Sequence, residues 1–216
     1  MRYVVMGAGG IGSVLGARLH NAGHDTVLVA RGAHGEAIAA RGLRLESPSG
    51  SETVPVPAVD DPRRLEVRHD DVVLLTTKSQ QSVAALGALV AAGFGGSPLV
   101  CVQNGVHNER AALRRFADVY GCCVMFPTTF LEPGVVQEHS APLPGILDVG
   151  RYPSGSDEIA GRVAGAFADA GFDAAVLEDI MRWKYRKLLL NLGNAVEAVC
   201  GPDARGGPIS AMARVE

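Results

Sequence analysis

Six residues near the start of the chain, Gly7-Ala8-Gly9-Gly10-Ile11-Gly12, have the composition and spacing to hold a phosphate group. An apolar run, Tyr3-Val4-Val5-Met6, precedes them, and an apolar pattern resumes at Val14, Leu15 and Ala17. This reads as strand, tight turn and helix. In the Gly7-x-Gly9-x-x-Gly12 spacing each glycine has its own task. Gly7 permits the turn, Gly9 leaves the backbone open to a pyrophosphate, and Gly12 lets the helix pack close to the strand. The free N–H groups and positive dipole end of a helix starting near Gly10 would face the phosphates. Glycine-rich turns are common; the position between a strand and an amphipathic helix is what gives this one weight.

A second set of polar residues lies near the other end. A helix is expected from about Asp179 to Cys200, stopped by Gly201-Pro202. Met181, Tyr185, Leu188, Leu192, Ala195 and Val199 form its apolar stripe. On another face Lys184, Lys187, Asn191 and Asn194 fall at i, i+3, i+7 and i+10. Such a row is costly if buried, and asparagines are poor helix formers. Lys187, Asn191 and Asn194 are therefore expected to face a polar cleft.

Between these ends the pattern alternates strand and helix. Thr26–Ala30 reads as the second parallel strand, ending at Arg31-Gly32. In NAD-binding units an acid at this point grips the ribose 2′-OH. Here Arg31 stands instead, able to pair with a 2′-phosphate, which favours NADP over NAD. Ala33–Arg41 reads as a short helix, and residues 42–46 and 52–56 as a β-hairpin. Asp71–Thr77 is a buried-strand pattern with Lys78 at its carboxyl end, where ligands of open α/β sheets bind. Lys78 is equally readable as a surface lysine capping a strand. A helix follows from Ser79 to about Ala92, then a strand at Leu99–Val102. The Gln103-Asn104-Gly105 turn after it could hydrogen-bond a substrate carbonyl or a nicotinamide ribose, or be a plain turn. Val106–Phe116 is expected to be helical, with His107 on its surface, and Val119–Val124 to be a strand of a second sheet. The Pro-rich stretch 126–144 reads as irregular, with Pro133-Gly134-Val135-Val136 turning into an edge strand. Ile146–Val149 and Phe172–Leu177 are further strands, and Asp157–Ala170 a helix.

The 216 residues, 47% of them hydrophobic, suffice for one sizeable core or one domain and a smaller second one. The net charge of −3 carries no basic stripe for nucleic acid and no polybasic membrane segment. No apolar run approaches the ~20 residues of a membrane span, and the N-terminal run is too short for a signal peptide. Cys101, Cys122, Cys123 and Cys200 have no metal-ligand spacing and read as buried reduced thiols, which points to the cytoplasm. No metal site is expected.

Taken together, GAGGIGSVLGARL at the start, Arg31, TTKSQQ at 76–81, VQNG at 102–105, PGVV at 133–136 and KYRKLLLNLGNAVEA at 184–198 resemble the ketopantoate reductase (2-dehydropantoate 2-reductase) family. The resemblance runs through nearly the whole chain in the expected order. It implies an α/β, Rossmann-like NADP-binding domain with a mostly parallel sheet at residues 1–177. Residues 178–216 would be the first helix and tail of an all-helical C-terminal substrate domain that is otherwise largely absent. It implies reduction of 2-dehydropantoate to pantoate by NADPH, on the route to pantothenate and coenzyme A. Lys187, in the KLxxN register with Leu188 and Asn191, matches the lysine that protonates the keto oxygen. Asn191 and Asn104 match substrate-binding asparagines, Asn104 lying between cofactor and substrate. Arg31 and Lys78 match cofactor-side positions, as does the loop from Gly7 to Gly12. The family's next asparagine falls one turn after Asn191, where this chain has Ala195; Asn194 stands one residue early on the same face. The expected partner is a small 2-oxo acid, with a homodimer through the C-terminal helix as a further expectation. A reductase of another 2-oxo acid, or an NADPH-binding protein without turnover, would share most of these features.

Overall fold

The computed structural model describes residues 1–201, apart from the side chains of residues 192–197. The glycine turn joins β1 (Arg2–Met6) to α1 (Gly10–Asn21), and β2 (Asp25–Val29) returns parallel to β1 in register, Arg2 opposite Asp25. All five residues of β1 are buried. Tyr3 and Val5 enter one apolar cluster and Val4 and Met6 the other, as expected of a strand with helices on both faces. The first cluster also takes Val14, Leu15 and Leu19 of α1 and Phe167 of α5 (Glu158–Asp169). The second takes Leu86 and Leu89 of α3 (Ser79–Ala91).

The main sheet adds β5 (Ala58–Val59) beside β2, and on the other side β6 (Asp71–Leu75), β7 (Leu99–Cys101), β8 (Val119–Met125) and β11 (Ile146–Arg151). Its order is β11-β8-β7-β6-β1-β2-β5, and β11 alone runs antiparallel to its neighbour. Arg2 and Asp71 tie the starts of β1 and β6 by a bidentate pair at 2.7 and 2.9 Å. The second sheet has the order β4-β3-β10-β9, from β3 (Leu43–Ser47), β4 (Gly50–Val54), β9 (Thr128–Glu132) and β10 (Val135–Glu138). Arg18 of α1 pairs with the buried Glu138 of β10 and so holds this sheet to the main domain.

Several expectations are corrected. The strand at 119–124 belongs to the main sheet: β8 pairs with β7 and β11, and six of its seven residues are buried. The 133–136 turn leads into β10, which lies inside the second sheet between β3 and β9, not at an edge. β9 was hidden in a stretch read as irregular, because most of its residues are exposed and leave no apolar alternation. The helix expected over 106–116 is reduced to α4 (Asn108–Ala112). Its closing bonds run from Arg115 and Phe116 onto the Ala112 carbonyl and drop Phe116 into the core. Residues 172–177 run beside β11 through two isolated bridges and form no continuous strand. Cys200 is exposed, while the other three cysteines are buried. α6 (Ile180–Cys200) closes the described chain, with Tyr185, Leu190 and Val199 of its length exposed. No described helix is long and apolar enough to cross a membrane.

Candidate active site

The loop between β1 and α1 is shaped by what a Cβ would meet. Gly7 has φ +110°, and a Cβ there would lie 2.7 Å from Thr77 Cγ2. At Gly12 a Cβ would lie 2.1 Å from the Gly7 carbonyl oxygen and 2.5 Å from Thr76 Oγ1. Thr76 Oγ1 in turn donates to that carbonyl at 2.6 Å, so the ends of β1, α1 and β6 meet at one point. Gly10 is closed by Thr128 of β9, 2.7 Å from where its Cβ would be. Gly9 differs: nothing in the protein lies within 4 Å of a Cβ there. Gly9 caps α1 without a side-chain bond, and no acid stands in the first turn. The first N–H groups of α1 therefore have no protein acceptor from a cap and face an open cradle, the arrangement that takes a phosphate. These residues fit the pyrophosphate of a dinucleotide.

A cleft of about 240 Å³ runs from this loop across the carboxyl ends of β6, β7 and β8, lined by Ile11, Thr77, Lys78, Gln103, Asn104 and Val124 among others. A narrower extension shares Gln103, Asn104 and Val124 and reaches Lys187, Leu188 and Asn191 on α6. The structure thus brings Lys187, Asn104 and Asn191 to one end of the cleft and Lys78 and Ile11 to the other. Lys187 Nζ donates to Asn104 Oδ1 at 2.6 Å and to the Val124 carbonyl. An ammonium has three N–H groups; the third remains for an oxygen in the cleft. Burial pushes the Lys187 pKa down, and the Lys184 cation adds to that, against the opposite effect of the neighbouring Cys123 and Cys122 thiols. Lys78 is exposed at the cap of α3. Arg31 is exposed at the cap of α2 (Gly32–Arg41), at the carboxyl end of β2, and makes no ion pair among the described residues. The Asn194 side chain lies outside the described residues.

Three residues of this region, Gln103, Lys184 and Glu109, have contacts that the sequence does not announce. Gln103 is buried and donates from Nε2 to the Thr77 carbonyl at 2.5 Å and to Ser82 Oγ at 2.9 Å, joining the ends of β6 and β7. Lys184, counted above with the cleft row, is buried and paired with Glu109 of α4. Composition held one signal: the 216 residues contain three lysines, Lys78, Lys184 and Lys187, and all three stand here.

The fold and the loop define a Rossmann-type α/β protein with a lysine and two carboxamides at the far end of the cleft that begins at its phosphate cradle. Residues 3–154 match the family model described as "Ketopantoate reductase PanE/ApbA". The chain belongs to the ketopantoate reductase family, a family of oxidoreductases. A 2-dehydropantoate 2-reductase of Pyrococcus horikoshii is 32% identical over 199 residues, covering 88% of this chain and 61% of that protein. The chain therefore spans about three fifths of the length of such curated relatives. A PanE/ApbA family ketopantoate reductase of Ralstonia eutropha superposes with a TM-score of 0.84 at 31% identity, over 99% of this chain and 70% of that one. A D-mandelate dehydrogenase solved with NADH shares the fold, with a TM-score of 0.80 at 22% identity, over 93% of this chain and 63% of that one.

Proposed function

We propose that this chain reduces 2-dehydropantoate to pantoate with NADPH, Lys187 acting as the general acid. The observation that carries this reading is the Lys187–Asn104 contact at 2.6 Å, at the end of a cleft that begins at the glycine loop. In this reading residues 1–177 form the cofactor domain and residues 178–216 begin the substrate domain. The loop from Gly7 to Gly12 holds the pyrophosphate, Arg31 the 2′-phosphate, and Lys78 the cofactor side of the cleft. A second copy of the chain is the proposed occupant of the exposed face of α6.

A dinucleotide held by the loop from Gly7 to Gly12 would supply the hydride from its nicotinamide to the keto carbon. Asn104 and Asn191 hold the substrate by their carboxamides and keep that carbon in place. Lys187 directs its remaining N–H at the keto oxygen, stabilises the negative charge developing there, and gives up the proton that completes the alcohol. The direct test is NADPH oxidation on adding 2-dehydropantoate. Turnover that depends on that ketone supports the assignment. Turnover only with other 2-oxo acids would move it to a different substrate, and NADPH binding with no turnover would reduce it to a nucleotide-binding module.

Arg31 carries a separable prediction. Bidentate pairing with a 2′-phosphate is charge-assisted and worth about 1.5–3 kcal/mol. Arg31→Ala should therefore weaken NADPH binding by about ten- to a hundredfold and leave NADH binding unchanged. Fluorescence titration with both cofactors reads this. Equal loss for the two would remove Arg31 from the 2′-phosphate.

A further inference from the structure

The chain uses arginine at 17 positions and lysine at three. Two of the lysines, Lys184 and Lys187, stand one helical turn apart on α6 and do different things. The Lys184 side chain is 3% exposed and that of Glu109 0%. Lys184 Nζ lies 2.6 Å from Glu109 Oε1 and donates to the carbonyls of Gln103 at 2.9 Å and Cys122 at 3.0 Å. Two of its N–H groups thus have hydrogen-bond acceptors, and the carboxylate meets the ammonium as an ion pair. Neither carboxylate oxygen of Glu109 has a hydrogen-bond donor among the described residues, and the charge that answers it is that of Lys184.

The contacts of the two lysines repeat one pattern. β7 ends opposite Gly121, while β8 runs on to Met125. Past that end, the carbonyls of Cys122 and Val124 accept from Lys184 and Lys187 respectively. On the other side, the Gln103 carbonyl and the Asn104 carboxamide, neighbours in one turn, accept from the same two ammonium groups. An apolar residue at 184 would pack α6 here but would not fix which turn of the helix meets Gln103. Buried ion pairs add little stability over apolar side chains of equal volume, and their best-attested use is to fix a register.

We propose that Lys184 and Glu109 are positioning residues: their buried pair locks α6 in register against the Gln103-Asn104-Gly105 turn, so that Lys187 stays on Asn104 at the edge of the cleft. The consequence for turnover rests on the reading of Lys187 as proton donor. The contact itself does not. The charged and titratable groups acting on Lys187 are Cys122 and Cys123 from β8 and Lys184 from its own helix; Glu109 of α4 reaches it through Lys184.

With three lysines in the chain, protein carrying ¹³Cε-lysine gives three signals, assigned with Lys78→Arg and Lys187→Arg. Their titration needs neither substrate nor cofactor. In Lys184→Met, loss of the cation and of the register lock both raise the Lys187 midpoint toward that of a free lysine. NADPH affinity stays unchanged, and kcat falls at least about tenfold. If Lys184→Met does not fold, Lys184→Met with Glu109→Gln removes both charges together and is read the same way. A folded variant with an unmoved Lys187 midpoint and only a lowered Tm overturns the proposal and leaves the pair a structural one. A raised midpoint in protein that turns over no 2-dehydropantoate at all supports the positioning role and counts against the reductase reading alone.

Discussion

Lys187→Met is expected to lower kcat for reduction of the ketone by about 10²- to 10⁴-fold and to leave NADPH binding intact. That range is what a positioned proton donor contributes, and it corresponds to about 3–5.5 kcal/mol of transition-state stabilisation. Methionine keeps the length and apolar stem of the side chain, so the packing of α6 on β8 is retained. It removes the contact to Asn104 and the charge proposed to meet the developing oxyanion. Lys187→Arg separates the two tasks: the guanidinium keeps the charge, but its pKa is too high to release a proton. It should fall between the wild type and Lys187→Met. The pH profile carries the same signature. An acid must be protonated to act, so activity is present below the Lys187 pKa and lost above it. Burial holds that pKa below the ordinary lysine value, so the alkaline limb of kcat/KM lies below ~10.4 and is absent from Lys187→Met. Steady-state kinetics across pH, with NADPH binding measured separately, checks all three statements. Unchanged kcat in Lys187→Met would contradict them.

The second large effect is a contrast between two glycines of one loop. In Gly12→Ala the new Cβ lies 2.1 Å from a backbone oxygen, Gly7 O, which no rotamer change can move aside. Overpacking of this kind costs about 1–3 kcal/mol. In a domain of this size that lowers Tm by roughly 2–4 °C per kcal/mol, and the loop it distorts is the phosphate cradle. Gly9→Val behaves oppositely. Its site is open to 4 Å and its backbone has φ −78°, which valine adopts without strain. Stability should change by less than about 0.5 kcal/mol. The side chain then fills the space a pyrophosphate needs, and NADPH affinity should drop by more than about tenfold. Calorimetry and cofactor titration on the two variants read both quantities. A Gly9→Val protein that binds NADPH normally would remove the phosphates from this loop.

Much of the architecture is visible in short-range patterns. The β1–α1–β2 unit shows itself because an apolar run, three spaced glycines and a β-branched run each specify one local structure. The hairpin of β3 and β4 shows itself through its Ser-Pro-Ser-Gly turn. Sheet membership is not local. The continuous apolar run at 119–124 suits a central strand of either sheet, and only pairing with β7 and β11 decides it. β9 is readable only through its partner β10, because its own side chains are mostly exposed. In the site, Lys187 and Asn191 could be placed on one helix face from their spacing alone. That Lys187 meets Asn104, and that Lys184 is buried on Glu109, depends on a helix crossing a turn far away in sequence, which no spacing rule records.

On the proposed reading, the phosphate cradle at Gly9 and the ammonium of Lys187 serve one cleft in which hydride is delivered to a ketone. The most direct test of that reading supplies NADPH deuterated at the transferring position of the nicotinamide, together with 2-dehydropantoate, and reads the product by mass spectrometry. The expected product is pantoate carrying deuterium on the carbon of the new hydroxyl group, formed by the wild type and nearly lost in Lys187→Met. NADPH bound at full affinity, with no labelled pantoate formed by the wild type, would contradict it.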